Sequence, residues 1–103
     1  MQATTTDSQA PVLFAPERII AVTRTEFRGL AIEFLESLPT DSKMLVIDMS
    51  GTVELDASGL GILVLIQKRA KDRGLSTRLR QTPERVRNLL KLTMLEFLFE
   101  LTD

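Results

Sequence analysis

Four consecutive residues, Asp56-Ala57-Ser58-Gly59, combine a carboxylate, a hydroxyl and a glycine immediately before the apolar run Leu60 to Ile66. A serine in that setting can attack a substrate, bind a phosphate, cap a helix or accept a phosphoryl group. The nucleophile elbow requires glycines two positions either side of the serine, where this chain has Asp56 and Leu60. A base to activate the hydroxyl is also missing, because the chain contains no histidine. A phosphate-cradling loop would need a Gly-Lys-Ser/Thr ending, which is absent, and Gly59-Leu60-Gly61 without a third glycine is a poor dinucleotide signal. With no cysteine either, thiolate metal sites, disulfides and cysteine nucleophiles drop out. The expectation is a protein that is not an enzyme and carries no cofactor or metal.

Two roles then remain for Ser58. Read locally, it is the N-cap of a helix, its hydroxyl accepting a first-turn N–H, with Asp56 favoured by the positive end of the helix dipole. It is also placed where an added phosphoryl group would have its largest local electrostatic effect. Gly59 and Gly61 fall in the first turns of the helix, where each costs about 1 kcal/mol relative to alanine. Either close packing of helix on sheet or the close approach of a partner would justify them, and the sequence leaves both open.

The elements that must position this turn are legible from hydrophobic spacing. "PVLFAP", bracketed by Pro11 and Pro16, suits an outer strand. Thr23-Arg24-Thr25-Glu26 spells a capping box, and Phe27, Leu30, Phe34, Leu35 and Leu38 follow at helical spacing up to Pro39. "KMLVIDM" reads as a strand buried on both faces, and "TVELD" as a brief strand or extended loop. A helix is expected from Ser58 to the basic residues before Gly74, then a strand at "STRLR". Thr82-Pro83-Glu84 opens a further helix with Val86, Leu89 and Leu90 on one face, and "MLEFLFEL" closes as a strand or packed tail. Alternating strands and helices predict an α/β domain with a mixed, mostly buried sheet of four to five strands packed with helices.

With those elements in place, "VIDMSGTVELDASGLGILVLIQKRAKDRG" resembles the central signature of STAS domains, particularly the single-domain bacterial anti-sigma factor antagonists. The likeness rests on a buried strand ending in Asp48, a short connection, Asp-x-Ser-Gly-Leu at Asp56 to Leu60, and a helix ending at Gly74; "TPERVRNLLKLTMLEFLFEL" is similar to the late helix and strand of that family. The resemblance implies a STAS fold and a partner switch. The unmodified protein would bind an anti-sigma factor with serine kinase activity, phosphorylation of Ser58 would release it, and a serine phosphatase would reset the system. It implies Ser58 as phosphoacceptor, Asp56 as the residue that positions the turn and adds negative charge, and Gly59 and Gly61 as the room through which a partner comes near. Ala57 belongs to the same contact surface, Leu60 anchors the helix, and Ser50 and Thr52 are candidate partner contacts or ordinary loop residues. The segment before the first helix is short, so the opening pair of strands is expected to be reduced. Compact STAS proteins also serve bacterial lipid-transport ABC systems, which makes docking onto an ATPase or permease without a phosphorylation cycle the alternative.

Composition bounds the partners. Among 103 residues, positions 1–61 carry four bases against nine acids and positions 62–103 nine bases against five acids. The basic half comes with no Trp or Tyr to stack on bases, so nucleic acid is not expected. The N-terminus has no basic and apolar leader pattern, and the longest apolar run without glycine, Ile62 to Ile66, is far short of the roughly 20 residues that span a bilayer. A cytoplasmic protein without membrane insertion is expected, with residues 1–10 as a flexible tail or weak edge strand and residues 11–103 as a single domain.

Overall fold

The computed structural model describes residues 11–103; the expected tail or edge strand at residues 1–10 lies outside them. In chain order the elements are β1 (Leu13–Phe14), β2 (Arg18–Ile19), α1 (Arg24–Ser37), β3 (Met44–Asp48), β4 (Glu54–Leu55), α2 (Ala57–Asp72), β5 (Ser76–Arg80), α3 (Glu84–Leu92), a 3-10 turn at Glu96–Leu98 and β6 (Glu100–Thr102). Four strands form one sheet in the order β1-β3-β5-β6, and β2 pairs with β4 in a separate two-stranded ribbon. The opening strands are two residues each, as the short segment before α1 suggested.

Every pairing among the described residues is parallel, where the sequence suggested a mixed sheet. Connectivity accounts for this: each successive strand of the main sheet is reached through a helix, which returns the chain to the starting edge before the next strand begins. Leu45, Ile47, Leu79 and Leu13 then point to one side and join Phe27, Ala31, Leu35, Leu63, Ile66, Val86 and Leu90 of the helices in one core. Each fully buried Leu or Phe there contributes about 1.5–3 kcal/mol.

β3 is buried on both faces, as its near-continuous apolar run predicts, but the side of the sheet away from the helices also carries charged pairs. Register places Asp48 beside Arg80 and Arg78 beside Glu100, and both pairs form ion pairs. Asp48 is buried; its carboxylate accepts from Arg80 Nε at 2.9 Å and from the Ser50 amide at 2.9 Å and hydroxyl at 2.6 Å. Burial pushes its pKa up, but the Ser50 hydroxyl and amide and the Arg80 guanidinium outweigh that and hold it below the usual carboxylate value.

Helix ends follow the sequence with two departures. Gly74 takes φ +79° and α2 closes with Gly74 N–H on the Lys71 carbonyl and Leu75 N–H on that of Ala70, the Schellman arrangement. The same pair of bonds closes α3 around Met94, a non-glycine residue held at φ 59°. At the start of α1 the capping box does not form: the Thr23 hydroxyl accepts from Ile20 N–H at 3.0 Å and donates to the Arg18 carbonyl at 2.9 Å, bracing the turn between β2 and α1. Pro83, and not Thr82, is the N-cap of α3.

Candidate functional site at the start of the second helix

The β2–β4 ribbon delivers the chain to α2. Ile19 lies opposite Leu55, and the Asp56 N–H extends that pairing to the Ile19 carbonyl at 3.3 Å. Asp56 is the N-cap: its Oδ1 accepts from Gly59 N–H at 2.9 Å, the third residue of the helix. Its Oδ2 accepts from Ala21 N–H at 3.1 Å, so one carboxylate fastens the helix start to the turn that leads into α1. The Gly59 bond, aided by the Ala21 bond and opposed by burial, holds the Asp56 pKa below its ordinary value.

This corrects the local reading of Ser58 as the cap. The carboxylate two residues earlier already occupies that role, since its charge makes it the stronger acceptor for first-turn amides. Ser58 is therefore the second residue of α2, half-buried, and no hydrogen bond among the described residues engages its hydroxyl. The first turn presents Ala57 and Gly61 to solvent beside it, with nothing within 4 Å of where a Gly61 side chain would begin. Leu60, Ile62, Leu63 and Ile66 face the core, which places the expected anchor at Leu60.

Gly59 belongs to the inside. A Cβ there would stand 1.9 Å from the Ile19 carbonyl oxygen and 2.7 Å from Leu55 Cδ1, so the room it leaves is filled by β2 and β4 of the same chain. Of the two justifications for these glycines, packing holds at Gly59 and open space at Gly61. Thr52 is likewise internal: it is buried and its hydroxyl donates to the Pro16 carbonyl at 2.8 Å. Ser50 is exposed, but its hydroxyl is committed to Asp48. The Ser50–Thr52 connection is thus tied to β3 and to the segment before β2, and none of its bonds reaches Ser58.

Sequence reasoning missed the Ile19–Ala21 backbone as part of this turn, because a two-residue strand pairing with another two-residue strand leaves no periodic signal. It also missed Arg80, whose partnership with Asp48 depends on sheet register. Among the described residues no three His, Cys, Asp or Glu side chains converge to hold a metal, and no helix is long and apolar enough to cross a membrane.

A family model described as "Mlab, STAS domain" matches residues 21–100, which spans α1 through the first residue of β6. The chain belongs to the STAS domain family. Two solved STAS-like structures share its fold. One is a protein of Thermotoga maritima described as a candidate anti-sigma factor antagonist, with a TM-score of 0.73 and 23% identity over 89% of this chain and 79% of that one. The other is a sulfate transporter family protein of Wolinella succinogenes, with a TM-score of 0.67 and 18% identity over 89% of this chain and 76% of that one. In this STAS domain the Asp-x-Ser-Gly-Leu element divides cleanly: Asp56, Gly59 and Leu60 build the turn, and Ser58 is left over.

Proposed function

We propose that this STAS domain is an anti-sigma factor antagonist whose binding is switched at Ser58. The unmodified form binds an anti-sigma factor with serine kinase activity, phosphorylation of Ser58 dissociates the pair, and a serine phosphatase restores binding. The domain is a binder and a substrate in this cycle, not a catalyst. The observation that carries the reading is that Asp56 does the capping, so the Ser58 hydroxyl has no hydrogen bond among the described residues to lose on modification. A phosphoryl group there adds about −1.5 to −2 charges beside an ionised carboxylate, in a first turn where Ala57 and Gly61 are open to a partner. The positive end of the 16-residue α2 favours an anion locally, so release comes from the changed contact surface and not from unfolding. Gly59 and Thr52 contribute by shaping the turn from within, whereas Ala57, Ser58 and Gly61 form the contact; Ser50 lies outside that first turn.

A second reading, a docking subunit of an ABC transporter or signalling assembly that binds without a phosphorylation cycle, is favoured by the family description and by the transporter relative. Affinity capture with Ser58→Ala and Ser58→Asp separates the two. The switch predicts that the alanine form retains a kinase-related partner and the aspartate form binds it about tenfold or more weakly, equivalent to about 1.4 kcal/mol. Equal retention of an ATPase or permease component by both forms supports the docking subunit.

A further inference from the structure

At the end of α2 remote from Ser58, a cavity of about 570 Å³ opens between Gln67 and Lys71 of the helix, the start of β5 and the 3-10 turn at Glu96–Leu98. Its size falls within the roughly 300–1,000 Å³ of small-molecule sites. Gln67 and Lys71 are one turn apart and share a face of α2. At roughly 1.5 Å per residue they lie about 14 and 20 Å along the helix from Ser58, so the cavity is separate from the Ser58 turn.

Its floor carries an unpaired polar group. Thr77 borders the cavity, is 3% exposed, and has a buried hydroxyl with no hydrogen-bond partner among the described residues. Strand alternation turns its side chain to the same side of the sheet as Leu79, toward the helices. A buried hydroxyl without a partner opposes folding, and valine, of the same shape, would fill this strand position without that cost. Leu75 and Phe99, both buried, complete the apolar lining, and Phe97 at the rim is 81% exposed.

The free charge at the mouth is positive. Lys71 is exposed and has no ion-pair partner among the described residues. Glu100 also borders the cavity, but its carboxylate pairs with Arg78 on the side of the sheet away from the helices. Asp72 and Glu96, the acids nearest in sequence, do not line it. We propose that this cavity binds a small aromatic carboxylate, with its ring against Phe97 and its anionic oxygens facing the Lys71 ammonium and the Thr77 hydroxyl. An exposed aromatic ring at the rim favours a planar apolar body, and ammonium and hydroxyl groups both donate to a carboxylate. The site stands independently of the switch at Ser58.

The test is an amide proton–nitrogen correlation NMR titration of the full chain with benzoate, run beside benzylamine and benzyl alcohol, which keep the ring and reverse or remove the charge. The proposal expects saturable benzoate shifts centred on the amides of Lys71, Thr77 and Phe97, and none from benzylamine. Lys71→Gln and Thr77→Val should each weaken benzoate binding by about threefold to tenfold. Because the Thr77 hydroxyl has no partner among the described residues, Thr77→Val should melt at or above the parent temperature, and Lys71→Gln alters an exposed side chain, so both variants report on binding in a folded domain. No saturable response to benzoate, shifts centred elsewhere, equal affinity for benzyl alcohol, or an affinity that either substitution leaves unchanged overturns the site.

Discussion

Gly59→Ala and Gly61→Ala should change stability in opposite directions, although the two glycines are two residues apart in the same helix. At position 59 the new methyl would begin 1.9 Å from the Ile19 carbonyl oxygen. Ordinary C···O contact is about 3.3 Å, so β2 or α2 must retreat by about 1.4 Å. Overpacking of this kind costs about 1–3 kcal/mol. The retreat also stretches the Asp56 N–H bond to Ile19, already 3.3 Å long, and losing it adds about 1 kcal/mol. Alanine returns about 1 kcal/mol of helix propensity, leaving a net loss of about 1–3 kcal/mol. For a domain of about 100 residues, 2 kcal/mol lowers Tm by about 8–16 °C. At position 61 nothing lies within 4 Å of the new carbon, so the propensity gain stands alone and Tm should rise by a few degrees. The chain has no Trp or Tyr, which makes far-UV circular dichroism the appropriate probe for thermal and urea unfolding. A Gly59→Ala protein as stable as the parent, or a Gly61→Ala protein destabilised to the same degree, would refute the assignment of Gly59 to internal packing.

Two further outcomes follow from the same geometry. Asp48 and Asp56 both have pKa values held below the usual 3.8, so the stability they contribute is fully present above about pH 4 and is lost as pH falls through their folded values. Asp48→Asn should be less stable than the parent at neutral pH and should show a shallower loss of Tm between pH 4 and lower values, a difference that a pH series of melts reads directly. Met94→Gly should raise stability by about 1 kcal/mol by relieving the left-handed residue at the end of α3, measurable as a shift in the urea midpoint with an unchanged slope.

The order of elements was legible because their signals are long or chemically sharp. Five residues of "STRLR" became β5 without adjustment, and Gly74 ended α2 where a left-handed residue was needed. Strand direction and the side of the sheet were not legible, since they depend on pairing: Arg78 and Arg80 look like surface residues of an edge strand until register sets them against Glu100 and Asp48. At the site, the composition of the turn was readable and the division of labour within it was not. Asp56 and Ser58 are both good cap residues; the charged carboxylate takes the first-turn Gly59 amide, and the Ala21 amide, 35 positions away in sequence, adds a second bond that no local pattern announces. Thr23 shows the same effect, its capping role displaced by the turn it braces. Local propensity names the candidates, and charge and backbone contacts decide among them.

The central claim is that the Ser58 hydroxyl, left uncommitted by Asp56, is the point at which binding is switched. Intact mass measurement with phosphopeptide mapping of the protein isolated from its native cells, in exponential growth and under stress, tests it most directly. The account predicts a single phosphoryl group on Ser58 whose occupancy changes with condition. Absence of phosphorylation at Ser58 under every condition, or modification confined to another residue, would contradict it.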